Sequence, residues 1–237
     1  MWFSNIFNEY DSILNQNTPY ISTNDIIFII QDQKFNIKQY KKDISPNIER
    51  KKSMPLINVS FHYHILRDNN IPTLSEFIND YERDNKSFIK LMPKEWYDSI
   101  LYILVRSYPS LVRDIHFVSK TRELGYDTIR TLQLDLYGID AIIPIDDNKL
   151  FFRLFFDSKK SRKYLKNKKK SHNLVDCIDF GLNNNNREKI GDIFLYSEKS
   201  IIDIIEKQKV SISVNNNINK KGESNEQDSP IIIKNHC

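Results

Sequence analysis

Apolar residues recur every three or four positions through the middle of the chain, a spacing that predicts helices. Residues 71–83 open with the Thr-x-x-Glu spacing of a capping box, in which each side chain bonds the other residue's backbone N–H. Residues 91–108 and 109–124 follow. Pro109 predicts a break between them, because proline lacks the N–H that continues a helix. Gly125 then predicts the end of the second of these two helices.

The period of the pattern changes to two after residue 127. Alternating or short apolar stretches bounded by turn residues predict strands. Three such stretches follow one another, and they cover residues 132–136, 139–145 and 149–157. The polar residues 146–148 form a hairpin-type turn between the last two, so we expect a three-stranded antiparallel meander. Beyond it, the pattern predicts a basic helix, a further strand and a final helix at residues 158–170, 189–196 and 197–208.

Two apolar stretches nearer the N-terminus also predict strands. Residues 26–30 are β-branched and aromatic, and residues 57–65 alternate apolar and polar positions. His62 and His64 would then lie on one face of the second strand. Because no third metal ligand lies near them in the sequence, this pair favours a structural role over a metal site.

Composition narrows the class of protein. A chain of 237 residues with 40% hydrophobic residues can bury one sizeable core. Its two cysteines have no metal-ligand spacing and form no disulfide framework, which predicts a reducing compartment. The N-terminus lacks the basic and apolar regions of a signal peptide. The apolar runs are far shorter than the roughly 20 residues of a membrane span, so we expect a cytoplasmic protein with no membrane contact.

Three regions follow from these patterns. Residues 1–90 form an accessory region for specificity or dimerisation, and residues 91–210 carry the predicted helix–meander–helix–strand–helix core. Residues 211–237 are rich in Asn, Lys, Ser, Gly and Glu, a composition that predicts a disordered tail. The expected fold class is α/β, with a mixed α+β sheet.

Acidic residues and a lysine occupy the ends of the two predicted hairpin strands. Asp140 begins one strand, and Asp157 and Lys159 close the next. The strand period puts Asp157 and Lys159 on one face. Antiparallel pairing around a tight turn is expected to bring Asp140 close to Asp157 or just beyond it. Two carboxylates can hold a divalent metal, and a lysine can neutralise a phosphate, which is the chemistry of phosphodiester hydrolysis.

A dense basic segment follows this acidic pair directly. It contains no acid, and its cations are Lys159, Lys160, Arg162, Lys163, Lys166, Lys168, Lys169 and Lys170. A solvated helix face is the usual fate of such a run. Its charges repel one another unless a polyanion neutralises them, so we expect contacts with nucleic-acid phosphates. Arg153 shares a strand face with Asp157, as either a salt-bridge partner or a phosphate ligand.

Ile139-Asp140 followed by Asp157-Ser158-Lys159, within this order of elements, resembles the PD-(D/E)XK nuclease superfamily, whose best-known members are restriction endonucleases. Ile139 stands where the motif has proline. The resemblance implies a restriction-endonuclease-like core in which Asp140 and Asp157 bind Mg²⁺ and Lys159 positions or helps deprotonate the attacking water. The superfamily often adds a helix carboxylate. Asp114 and Glu123 are the two possibilities, and Glu123 is the one included in the predicted metal set.

These observations predict a Mg²⁺-dependent endonuclease that hydrolyses DNA, most simply by restriction-type double-strand cleavage. Symmetric cutting of two strands calls for two active sites, so we expect a homodimer. A recombination or repair nuclease, such as a junction resolvase, is the alternative within enzymes. A nucleic-acid-binding module that keeps the fold without catalysis is the alternative outside them. The sequence has neither a GxSxG nucleophile motif nor a phosphate-binding GxxxxGK[ST] loop, which argues against a serine hydrolase and an NTPase.

Overall fold

The computed structural model describes residues 13–34, 55–163, 165 and 176–226, and within them the chain is a mixed α/β protein. Its helices are α1 (Thr23–Ile30), α2 (Ile57–Asp68), α3 (Leu74–Asp84), α4 (Lys86–Lys90), α5 (Lys94–Glu123), α6 (Leu132–Leu136) and α7 (Glu198–Glu226). Its strands are β1 (Ala141–Ile145), β2 (Asn148–Phe156), β3 (Cys177–Leu182), β4 (Arg187–Ile190) and β5 (Ile193–Tyr196).

The main sheet has the order β1-β2-β3. Strands β1 and β2 form the predicted antiparallel hairpin, with Ala141 opposite Phe152 and a turn after Ile145. Strand β3 pairs with β2 in parallel. On the other side of the hairpin, Ile129 forms an isolated antiparallel bridge to Ile142 of β1. The sheet is therefore mixed, as predicted.

The prediction that residues 132–136 form the first strand of a meander is wrong. Residues 132–136 form the short helix α6, and the hydroxyl of Thr131 caps it by accepting the N–H of Leu134 at 3.2 Å. Five alternating residues are too few to separate a strand from one helical turn, and here the cap favours the turn. The place of the missing strand beside β1 is taken by the single bridge at Ile129.

Both strands predicted in the N-terminal region are helices, which corrects those two predictions. Residues 26–30 belong to α1, whose N-cap is the hydroxyl of Ser22, and residues 57–65 belong to α2. A short apolar run does not by itself distinguish a buried helix from a strand, and packing decides between them. On α2, His62 and His64 are about 200° apart around the helix axis, so they do not share a face.

Helix α5 runs without a break through Pro109, so the predicted division into two helices is also wrong. The proline removes one helical hydrogen bond. Tertiary contacts on both sides of it offset this loss, since Tyr108 and Val112 are fully buried. The hydroxyl of Tyr108 also donates to the carbonyl oxygen of Pro72 at 2.6 Å. The end of the helix is as predicted, because Gly125 follows it with a φ of 89°.

Two hydrophobic clusters form the interior, and α5 contributes to both. In the first, Phe61 and Phe77 meet edge to face at 5.4 Å, beside Tyr108. In the second, Phe117 packs on Phe152 of the sheet with ring centroids 5.4 Å apart. One continuous helix therefore joins a helical layer to the sheet. The capping box predicted at the start of α3 is confirmed.

The C-terminal elements differ from the prediction in two ways. Residues 189–196 contain the turn of the β4–β5 hairpin rather than one strand. Helix α7 continues to Glu226, so residues 211–226, which the composition assigned to a disordered tail, are helical. The spacing of apolar residues at positions 1–20 also predicts a short helix, and most of these residues fall outside the described part of the chain. Among the described residues, no helix combines the length and the apolar character needed to cross a membrane.

The turn between β4 and β5 depends on glycine. Gly191 has a φ of 54°, and a Cβ atom there would lie 2.7 Å from the carbonyl oxygen of Ile30 and 2.8 Å from that of Gln31. We expect Gly191→Ala to lower the free energy of unfolding by about 3 kcal/mol, measured by urea denaturation, since left-handed strain adds to a backbone clash. Gly125→Ala is the control, because Gly125 has a positive φ but open space around it, and about 1 kcal/mol is expected there. Equal losses would contradict the role of the α1 contact.

Candidate functional site

Asp140 lies immediately before β1 and extends its pairing with β2. Its backbone N–H donates to the carbonyl oxygen of Phe152 at 2.9 Å. Its carboxylate oxygen Oδ2 accepts the backbone N–H of Leu154 at 2.6 Å. The side chain thus takes the place that the next backbone carbonyl of β1 would occupy. This bond is a structural role for Asp140, and it also fixes the position of the carboxylate.

The hairpin register does not bring Asp140 and Asp157 together. Ala141 is opposite Phe152, so extending the register by one position puts Arg153 opposite Asp140. Asp157 is four residues further along, which is roughly 13 Å of strand. The predicted juxtaposition of the two carboxylates is therefore wrong. The two-residue turn sets the register, and it leaves β2 four residues longer than β1.

Arg153, opposite Asp140, forms an ion pair across the sheet. Its Nε is 3.0 Å from Oδ1 of Asp179 on β3, the residue with which Arg153 is paired in the parallel register. Of the two roles left open by the sequence, salt bridge or phosphate ligand, the structure shows the first.

Asp157 is held at the point where β2 leaves the sheet. Its backbone N–H donates to the carbonyl oxygen of Leu182 at 2.8 Å. Both carboxylate oxygens accept hydrogen bonds from Arg162, with Nη2 2.6 Å from Oδ2. These bonds from the Arg162 guanidinium lower the pKa of Asp157. A carboxylate bound in this way has little capacity left for a metal ion.

The basic segment begins as the helical residues 159–163. Lys159 and three neighbouring cations are exposed there, and the four are Lys159, Lys160, Arg162 and Lys163. The remaining predicted phosphate contacts, Lys166, Lys168, Lys169 and Lys170, lie outside the described residues. The described part of the segment is thus an exposed cationic turn directly after β2.

Glu123, the acid predicted from the end of the preceding helix, ties two helices together. Its carboxylate accepts the backbone N–H of Thr23 at 2.7 Å and the Thr23 hydroxyl at 2.8 Å. It also pairs with Lys120 at 3.0 Å. These contacts join α1 to the end of α5, and they are structural.

Asp114 is the helix acid that feels the charge of Asp140. It is 7% exposed, and burial, followed by the charge of Asp140, raises its pKa well above the usual range of a carboxyl group. Its Oδ1 atom is buried and has no hydrogen-bond partner among the described residues. Of the two helix acids considered from the sequence, Asp114 has a pKa that responds to the charge of Asp140, whereas the pKa of Glu123 responds to Thr23 and Lys120.

A buried arginine compensates this pair of carboxylates. Arg130 follows the bridge residue Ile129, and its Nη1 donates to the backbone oxygen of Asp140 at 2.8 Å. Its Nη2 is 3.5 Å from Oδ2 of Asp135 on α6. Arg130 and Asp135 are not among the site residues predicted from the sequence, because a strand is predicted at residues 132–136. The sequence feature that points to Arg130 is a single arginine between the apolar and hydroxyl-bearing residues 128–132.

The two histidines of α2 have different neighbours. His62 is buried beside Arg130, and burial together with this guanidinium lowers its pKa to about 4, so it is neutral at pH 7. His64 contacts Asp80 of α3, with Nδ1 2.5 Å from Oδ2. The two histidines therefore have different partners, and the strand geometry predicted for them is wrong.

Asp114 and Asp140 can supply two of the ligands that a divalent cation needs. Within the described ranges, no group of three or more His, Cys, Asp or Glu side chains is arranged to hold a metal ion. The predicted set of Asp140, Asp157 and Glu123 therefore does not converge. Mg²⁺ is commonly bound by one or two carboxylates, with water and substrate phosphate completing its octahedron. Asp114 and Asp140, one of them with an unpaired buried oxygen, match this simpler requirement.

Comparison with known proteins adds no family assignment. No model of a protein family, no curated protein and no solved structure matches this chain.

Proposed function

We propose that this chain is a Mg²⁺-dependent DNA endonuclease whose metal is held by Asp114 and Asp140. The observation that carries the proposal is the buried carboxyl of Asp114 on α5, which has one oxygen without a hydrogen-bond partner among the described residues and a pKa that burial and the charge of Asp140 raise. A buried carboxyl oxygen without a hydrogen-bond partner is costly, and a bound metal ion would supply the missing partner. Restriction-type double-strand cleavage by a homodimer is the simplest form of this activity.

The order of elements supports the same proposal. A long helix is followed by a bridge at Ile129, the short helix α6, an antiparallel hairpin, the helical residues 159–163 and a parallel strand. This agrees with the helix–strands–helix–strand order of the restriction-endonuclease-like core that the resemblance implies, with the first strand reduced to one bridge. The proposed site lies at the start of the hairpin, where that core would carry its first aspartate.

The residues of the chain would divide the work as follows. Mg²⁺, when bound, would polarise the phosphate and lower the pKa of a water molecule. Asp114 and Asp140 would hold it, after Asp114 has lost its proton. Arg130 would keep Asp140 in place through its bond to the backbone oxygen. The exposed cations that begin at Lys159 would bind the DNA backbone.

A second function, DNA binding without cleavage, is favoured by one feature. Strand β2 carries an arginine rather than an acid opposite Asp140, and the carboxylate of Asp157 is bound by Arg162. A chain that uses this fold only to bind DNA has no need of a third metal ligand on β2. The two functions make opposite predictions about Mg²⁺.

A cleavage assay separates them. The purified chain is incubated with supercoiled plasmid, linear duplex and four-way junctions, in Mg²⁺ or in EDTA, beside Asp157→Asn and Lys159→Ala. We expect cleavage only with Mg²⁺. We expect the cleavage rate of Asp157→Asn to stay within about threefold of wild type. We expect Lys159→Ala to weaken DNA binding about threefold, since each screened surface charge contributes up to about 1 kcal/mol.

The other outcomes of this assay are equally informative. Cleavage of junctions alone would indicate a resolvase. Retention of DNA without cleavage would leave the binding module. A complete loss of cleavage in Asp157→Asn, with DNA binding kept, would contradict the proposed metal pair and return Asp157 to the active site.

A further inference from the structure

Phe156, the last residue of β2, presents an aromatic ring at the surface. The residue is 42% exposed, whereas Phe152 on the same face of the strand is fully buried. The guanidinium carbon of Arg113 lies 5.9 Å from the ring centroid of Phe156. Arg113 is itself buried, and its Nε donates to the carbonyl oxygen of Phe194 at 3.1 Å. A fixed cation therefore supports one exposed ring.

Aromatic and cationic groups alternate around this ring. The guanidinium of Arg187 lies over the half-buried ring of Phe194, 4.0 Å from its centroid, and the backbone oxygen of Phe194 accepts the hydrogen bond from Arg113. In the other direction, the exposed cationic turn at residues 159–163 begins three residues after Phe156. The exposed ring thus has a buried cation beside it and exposed cations after it along the chain. Surfaces that bind single-stranded nucleic acid combine these two ingredients, because phosphates need positive charge and unpaired bases need a flat apolar partner.

Other ligands account for only part of this surface. A DNA duplex offers phosphates to the lysines, but its bases are stacked on one another and cannot reach a ring on the protein surface. A protein partner with an acidic segment would satisfy the charges and leave the ring without a specific partner. An unpaired nucleotide satisfies both, since every base has a face that can stack on phenylalanine.

We propose that Phe156 is a stacking platform for an unpaired base of single-stranded DNA, and that Lys159, Lys160 and Lys163 bind the phosphates beside it. The proposal rests on the proposed function in taking DNA as the ligand, and it differs from restriction-type cleavage of a plain duplex in requiring an unpaired segment of the DNA. Arg113, whose guanidinium lies near the ring, directly precedes Asp114 in α5.

The test measures binding alone, by fluorescence anisotropy with the full chain in EDTA. The ligands are a short labelled oligo(dT), an abasic strand of equal length and a duplex. We expect Phe156→Leu to weaken oligo(dT) binding about tenfold, the fold-change that corresponds to one lost stacked base. Binding of the abasic strand and the duplex should stay unchanged, and Phe156→Trp should retain oligo(dT) binding. Phe28→Leu, a change at an exposed ring on α1, is the matched control and should have no effect.

Several results would overturn the platform. They are an unchanged oligo(dT) affinity in Phe156→Leu, an equal loss with the abasic strand, or no oligo(dT) binding by the wild type. Tighter binding of polyglutamate than of oligo(dT) would instead indicate an acidic protein partner. Because the assay contains no Mg²⁺, it is independent of cleavage. A wild type that cuts plasmid but does not bind oligo(dT) through Phe156 would contradict only the stacking role of Phe156. A wild type that binds oligo(dT) through Phe156 but does not cut plasmid would contradict only the proposed nuclease activity.

Discussion

Asp140→Asn is expected to lower the rate of Mg²⁺-dependent DNA cleavage at least 100-fold while leaving the fold intact. Loss of a carboxylate that holds the metal removes several kcal/mol of transition-state stabilisation, and each 1.4 kcal/mol corresponds to a factor of ten in rate. The amide oxygen of asparagine can still accept the N–H of Leu154, so the pairing of β1 with β2 survives. The measurement is the initial rate of plasmid cleavage, with the melting temperature as the check on folding.

Asp147→Asn is the matched control for this substitution. Asp147 is an exposed acid in the turn of the same hairpin, so its loss changes the net charge by the same amount away from the proposed metal. We expect its cleavage rate to stay within about twofold of wild type, because exposed single charges contribute little. If both variants cleave at the wild-type rate, Asp140 holds no metal and its role is the structural bond to Leu154.

The stability of the wild type should fall, relative to Asp114→Asn, as the pH rises from about 4. The folded state raises the pKa of Asp114 above the 3.8 of an unperturbed aspartate. Below pH 3.8 the carboxyl is protonated in both the folded and the unfolded state. Between 3.8 and the folded pKa, only the unfolded chain releases the proton. The contribution is therefore fully present at low pH and lost as the pH rises through the folded pKa, with a slope of about 1.4 kcal/mol per pH unit.

Urea denaturation of both proteins from pH 4 to pH 8 measures this difference. The asparagine variant has no proton to release at this position, so the gap between the two free energies of unfolding isolates Asp114. When Asp140→Asn is present in both proteins, the pH range over which the stability falls should end at a lower pH, because the charge of Asp140 is the second cause of the raised pKa of Asp114. A gap that is constant with pH would contradict the raised pKa. With Mg²⁺ present, the wild type should recover stability at high pH, since the metal replaces the proton.

The patterns that could be read from the sequence are those made by neighbours along the chain. The capping box at Thr73 and Glu76, the glycine stop at Gly125 and the β1–β2 turn are local, and all three are confirmed. Each involves residues within a few positions of one another. The physical cause, a side chain that satisfies a nearby backbone group or a φ that only glycine adopts freely, is thus written in the sequence itself.

Patterns whose outcome depends on distant residues were predicted wrongly. The runs at residues 26–30 and 57–65 became helices because partners elsewhere in the chain bury their apolar faces. Pro109 did not break α5, because packing on both sides of it outweighs one lost hydrogen bond. These results follow from burial, which neither the period nor the propensity of a short segment contains.

At the candidate site, too, the local patterns could be predicted from the sequence and the long-range contacts could not. The sequence alone indicated an acid at the start of a strand, a turn at residues 146–148 and a basic helix after the next strand. The structure places Asp140 immediately before β1, reduces the turn to two residues and describes residues 159–163 of the basic segment as helical. Only the tertiary structure decided which groups meet there. The hairpin register, in which Ala141 is opposite Phe152, separates Asp157 from Asp140, and the pKa of Asp114 on α5 is the one that the charge of Asp140 raises. A one-residue difference in register changes every such neighbour, so the acids that share a site depend on the three-dimensional pairing of strands and helices.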